Sequence, residues 1–97
     1  MRVISKKALR EFWERYPDYE QPLKAWHAEA KSAIWGAPID IKNRYGAASF
    51  VSNNRVVFNI AGNKYRLVVA IRYDLEIVYI RFVGNHTEYN SIDVTLI

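Results

Sequence analysis

Two histidines, seven tyrosines and fourteen lysines and arginines are the side chains here that can move a proton or hold an anion. Cysteine is absent, which excludes disulfide scaffolds, thiolate zinc sites and cysteine nucleophiles. His86 and Tyr89 follow Gly84-Asn85 and stand three residues apart. If Asn85 caps a helix, that spacing puts both on one side of it. His86 then lies in the first turn, where backbone N–H groups attract anions. Such a histidine suits proton transfer beside a phosphodiester. The plainer reading is a surface or structural histidine. His27, inside a helical stretch with no basic cluster in its neighbourhood, takes that plainer reading. Two histidines without a His-Glu-x-x-His pattern make no convincing ligand set, so no metal or other cofactor is expected.

Arg66 and Arg81 enter through strand register. Arg55–Ile60, Lys64–Arg72 and Ile77–Val83 are rich in β-branched and aromatic residues, as strands are. A turn at Gly62-Asn63 sets Phe58 against Leu67, Asn59 against Arg66 and Ile60 against Tyr65. A turn at Asp74-Leu75 sets Val69 against Ile80 and Leu67 against Phe82. Both registers gather the same apolar set on one face. The opposite face then carries Asn59, Lys64, Arg66, Arg72, Tyr79 and Arg81. With Val68 facing Arg81, the two guanidiniums of Arg66 and Arg81 are diagonal neighbours, whose repulsion a bound phosphate would reverse. Solvated arginines paired with helix acids are the alternative.

The elements that must hold these residues follow from periodicity. Met1–Ile4 reads as a short strand. Leu9, Phe12, Trp13 and Tyr16 recur at helical spacing after Ser5, a possible cap, and Pro17 stops that helix. A second helix starts between Asp18, paired with Gln21, and Pro22. It shows Leu23, Trp26, Ala30 and Ile34 as its apolar face and ends at Gly36 and Pro38. The short link predicts a helical hairpin. Residues 37–46 read as irregular. Ala48–Ser52 is a further strand, with Asn53-Asn54 as its hairpin turn. Asn85 with Glu88 predicts a capped short C-terminal helix.

Ninety-seven residues suffice for one domain spanning 1–97. Hydrophobic residues at 51% and charged residues at 25% exclude global disorder. No apolar run approaches the roughly 20 residues of a membrane helix. No signal peptide is expected, and a cytoplasmic protein fits. The net charge of +4 favours polyanionic partners, and aromatic residues at 14% add rings on which bases can stack.

The segment Arg55-Val56-Val57-Phe58-Asn59-Ile60-Ala61-Gly62-Asn63-Lys64-Tyr65-Arg66-Leu67 resembles the core signature of HigB-type toxins in the RelE superfamily. Gly84-Asn85-His86-Thr87-Glu88-Tyr89 resembles their C-terminal Gly-Thr-His-x-x-Tyr motif, with Asn85 in place of the threonine. Either residue can cap a helix. The likeness covers nearly the whole chain.

The resemblance implies an α+β, RelE-like domain: a mostly antiparallel sheet of four to five strands packed on an N-terminal helical hairpin, with a short C-terminal helix. It implies the toxin of a type II toxin–antitoxin system, an endoribonuclease (mRNA interferase) that cuts messenger RNA on the ribosome without metal and so inhibits translation. It implies a helix-turn-helix, HigA-like antitoxin, through which the complex reaches operator DNA. On this reading Arg66 and Arg81 stabilise charge, His86 transfers a proton and Tyr89 stacks, orients or assists. Asn59, Lys64 and Arg72 position the RNA backbone. The alternative is a non-catalytic RNA-, ribosome- or antitoxin-binding module.

Overall fold

The computed structural model describes residues 1–62 and 64–97. Strand β1 (Arg2–Ile4) opens the chain and leads into helix α1 (Lys6–Arg15), which buries Leu9, Phe12 and Trp13, three of the four residues picked out by periodicity, while the fourth, Tyr16, follows the helix and is exposed. Ser5 occupies the position before α1, but its hydroxyl makes no cap bond. Pro17 does not merely stop α1. It begins a single 3₁₀ turn, Pro17–Tyr19, that delivers the chain into α2 (Glu20–Ser32). Asp18 therefore forms no cap with Gln21. Pro22 is third in α2, where a backbone N–H has no intrahelical partner to lose. The two helices touch, as their short link demands.

Two expectations fail after α2. The helix ends at Ser32 because Ala33 is extended, and Ile34 is left 81% exposed rather than facing the core. Residues 37–46 are not all irregular: α3 spans Pro38–Arg44. Pro38 occupies its first turn, where proline's missing N–H costs nothing. The Asp40 carboxylate accepts the N–H groups of Gly36 and Ala37 at 2.9 and 3.2 Å. Ile41 plugs α3 into the core. At the other end, Tyr45 donates its hydroxyl to Glu29 Oε2 at 2.5 Å, and Arg44 pairs with the same carboxylate. The Tyr45 bond, with help from Arg44, holds the Glu29 carboxyl below its usual range, while burial and Glu29 push the Tyr45 hydroxyl up. Thus α3 is tied to α2.

The remaining strands are β2 (Ser49–Val51), β3 (Arg55–Ile60), β4 (Tyr65–Arg72) and β5 (Ile77–Asn85). They form one sheet in the order β1-β5-β4-β3-β2. All neighbours are antiparallel except β1, which runs parallel to β5. The expected α+β, mostly antiparallel architecture is present, with a mixed edge. Asn53 and Asn54 both take positive φ, 64° and 59°, as the β2–β3 turn requires. Gly62 has φ 62° in the β3–β4 turn, while Asn63 lies outside the described residues.

The β3–β4 register is the expected one: Phe58 faces Leu67, Asn59 faces Arg66 and Ile60 faces Tyr65. The β4–β5 register begins as expected, with Val69 against Ile80, and then breaks. Leu67 faces Val83 and Val68 faces Phe82, with a bulge between Val68 and Val69. Arg81 is the extra residue of that bulge, so it does not oppose Val68. One added residue turns Val83, not Phe82, toward the helices.

The helices cover one face of the sheet. Leu9, Leu23, Trp26 and Ala30 pack there with Val56, Phe58, Leu67, Val69, Ile71 and Val78. The other face is not open along its length. Helix α4 (His86–Asn90) sits against β4 and β5. The chain after it returns to β3, where Arg55 donates to the Ile97 carbonyl and Asn53 donates to Thr95 O at 3.2 Å. Beneath that path Val57, Val68 and Ala70 are buried, although they lie outside the main core.

Candidate active site

Arg66 stands on β4 between Asn59 of β3 and Gly84 of β5. Gly84 matters through what it lacks. A Cβ there would come within 2.4 Å of Phe82 Cζ and 3.1 Å of Glu88 Cβ. The missing side chain lets the Phe82 ring and α4 close over the strand. The bulge at Arg81 is what turns Phe82 toward this side, and its ring centroid lies 6.5 Å from that of Tyr89. A glycine inside a strand pattern marks such a close approach, so this role had a sequence signal. Phe82 had none, because its face depends on the bulge.

Helix α4 is five residues long, too short to persist without external support. Its start is fixed by a reciprocal cap. Asn85 Oδ1 accepts the Glu88 N–H at 2.8 Å, and Glu88 Oε1 accepts the Asn85 N–H at 3.0 Å. That cap places His86 first in the helix and Tyr89 one turn later. Arg66 meets both. Its Nη2 lies 3.4 Å from His86 Nδ1, and its Cζ lies 5.9 Å from the centre of the Tyr89 ring.

The contact restricts the imidazole. A guanidinium has only donors, so Nδ1 must accept in this geometry, and the ring proton is assigned to Nε2. His86 is exposed, while Arg66 and Tyr89 are half-buried. A polyanion can therefore approach a forked donor, a ring N–H donor and an aromatic ring at one place. Asn59 is half-buried opposite Arg66, and Lys64 is exposed in the turn just before β4.

Two expected site residues lie elsewhere. Arg81 is not the diagonal neighbour of Arg66: its guanidinium sits over Tyr79, 5.2 Å from the ring centre. Arg72 is six residues along β4 from Arg66, about 20 Å at the usual rise per residue. Its Nε and Nη2 donate to Asp74 at 3.1 and 2.9 Å. That pairing holds the Asp74 carboxyl below its usual range. His27 lies away from the site, and burial, Lys6 and Lys31 lower its pKa. Among the described residues no three His, Asp or Glu side chains gather where they could hold a metal ion.

The profile of the HigB toxin family, the RelE-like toxic component of a toxin–antitoxin system, matches residues 19–92. That span contains Arg66, the Gly84 gap, the α4 cap, His86 and Tyr89. The chain belongs to this family. Curated relatives agree. The mRNA interferase toxin HigB of Escherichia coli (strain K12) is 28% identical over 92 residues, covering 93% of this chain and 88% of that protein. The mRNA interferase HigB of Shigella flexneri matches to the same extent. That of Escherichia coli O6:H1 is 22% identical over 94 residues, 95% of this chain and 91% of the relative. The resemblance carried by the two sequence motifs therefore holds. Membership in a toxin–antitoxin family implies an antitoxin partner. No helix among the described residues is long and apolar enough to cross a membrane.

Proposed function

We propose that this toxin is an endoribonuclease that cuts messenger RNA on the translating ribosome, with Arg66, His86 and Tyr89 as its reacting centre. The observation that carries the proposal is the convergence of these three side chains from β4 and α4. The names of its relatives, mRNA interferases, support the same reading.

The reaction is transesterification. The RNA 2′-oxygen bonds to the adjacent phosphorus, and the bond from phosphorus to the 5′-oxygen breaks. The products are a 2′,3′-cyclic phosphate and a 5′-hydroxyl. Arg66 donates forked hydrogen bonds to the non-bridging oxygens as their charge grows. As Arg66 turns from His86 Nδ1 to the phosphate, the ring takes up a second proton; the imidazolium then gives its Nε2 proton to the departing 5′-oxygen and is left neutral, and the 2′-hydroxyl proton leaves to solvent or to a second base. Tyr89 stacks on a flanking base and holds the phosphate against Arg66. Asn59 and Lys64 hold the backbone on either side. No step runs through a metal ion. The antitoxin is a helix-turn-helix protein of the HigA kind, through which the complex reaches its operator, and the site of action is the cytoplasm, where ribosomes are.

Mapping of mRNA ends in a translating extract tests this. New internal ends bearing 2′,3′-cyclic phosphates are expected when the toxin is added. Intact messages on stalled ribosomes would instead favour a non-catalytic binder.

A further inference from the structure

Arg81, displaced from Arg66 by the bulge, lines a second place where cations gather. A groove of about 410 Å³ opens on the sheet face that carries Arg66, near the far ends of β3, β4 and β5. Arg55, Arg72, Tyr79 and Arg81 line it. The three arginines differ in how they are held. Arg55 donates to the carbonyls of Ile97 and Asn53, and Arg72 is forked onto Asp74. Arg81 sits over Tyr79, its Cζ 5.2 Å from the ring centre, and among the described residues no carboxylate pairs with it. An arginine stacked on an aromatic ring keeps its outer face and its edge donors available to a base and a phosphate.

The groove lies on the same sheet face as the candidate site, beyond the segment after α4 that covers Val57 and Val68. Tyr79 faces Ala70, four residues along β4 from Arg66, so the separation is about 13 Å on the same sheet. An extended single strand spans that distance in a few nucleotides. We infer that the groove of Arg81, Tyr79, Arg55 and Arg72 is a second single-stranded RNA subsite, which grips the substrate backbone away from the scissile bond. This rests on the RNA-cleavage reading and adds to it: substrate length is sensed by Arg81, not by Arg66.

Binding without cleavage separates the two. The probes are 2′-O-methyl RNA oligonucleotides of about four and about twelve nucleotides, which bracket the single-strand footprint of one binding face. Fluorescence anisotropy with the intact toxin should show the longer probe held at least about tenfold tighter. Arg81→Ala should remove most of that gain, leave the short probe within about twofold, and reduce the salt slope for the long probe by about one. Tyr79→Ala should act in the same direction. The inference is overturned if Arg81→Ala binds the long probe as wild type does, or weakens both probes equally. It is also overturned if Arg81→Ala weakens only antitoxin binding, which would assign the groove to an acidic protein segment. Failure of the cleavage reading looks different: wild-type toxin would then leave messages intact in the translating extract, whatever the length dependence.

Discussion

Gly84 shows how one residue sets the site. Any side chain there meets Phe82 at 2.4 Å and the Glu88 Cβ at 3.1 Å. The Phe82 ring is the distal end of its side chain and can swing, but Glu88 is bound to the Asn85 cap. Gly84→Ala therefore pushes α4 off the sheet. Overpacking of this kind costs about 1–3 kcal/mol. The expected outcome is a folded protein with a modestly lower Tm and little RNA cleavage, because Tyr89 and His86 move relative to Arg66. Thermal denaturation beside a cleavage assay checks it, and wild-type cleavage would contradict it. Spacing and family likeness picked out Arg66, His86 and Tyr89, and β4 and α4 bring these three together. Arg81 was misplaced because a bulge leaves no mark in the alternation of a strand whose residues are apolar on both faces, as Val68 and Val69 are. The pairing of Arg72 was not foreseen, because its partner, Asp74, lies in the turn and was treated only as turn-forming.

Helix α4 is the element on which the site depends. Five residues do not nucleate a helix alone, so the reciprocal Asn85–Glu88 cap and the seat on β4 and β5 hold it. Removing an N-cap side chain costs about 1 kcal/mol. Asn85→Ala should lower the population of aligned His86 and reduce cleavage severalfold with only a small change in Tm. Asn85→Thr, which keeps a cap acceptor, should restore it. Equal activity in both variants would sink this role. The cap was legible because Asn and Glu three apart form a local pattern. Helix α3 was not, since its start depends on Asp40 reaching back to Gly36 and Ala37, and Pro38 was taken as a stop for α2 rather than an opening for the next helix. The end of α2 was overrun for a related reason. Ile34 continues the helical period, but the backbone has already turned extended at Ala33.

On the scale of the molecule, the sheet separates stability from chemistry. One face is packed by helices, and the other carries Arg66, His86 and Tyr89 beside a strap formed by the chain after α4. The helical side contains His27, whose pKa is lowered from its ordinary value of 6.5 by burial and by Lys6 and Lys31. A base depressed in the folded state adds stability that is fully present above its unfolded pKa and is lost as pH falls through the folded one. Wild-type Tm should therefore drop as pH is lowered past about 6.5, and His27→Gln should drop less over that interval. Identical pH profiles would exclude the effect. Glu29, Asp74 and Asp93, whose carboxyls are depressed, lose their contribution only at lower pH, so the windows separate. The overall α+β plan was legible from the change of period after Gly46. The strap was not, because its anchors join Asn53 and Arg55 to backbone carbonyls 42 residues away, and carbonyls have no sequence signature.

The central claim is that Arg66 and His86 perform RNA scission as a pair. Paired assays of Arg66→Ala and His86→Ala measure it most directly: antitoxin binding on one side, translation-dependent mRNA cleavage and growth arrest on the other. Both variants should bind antitoxin as wild type does and lose cleavage and arrest. Cleavage and arrest at wild-type levels in both would contradict the account.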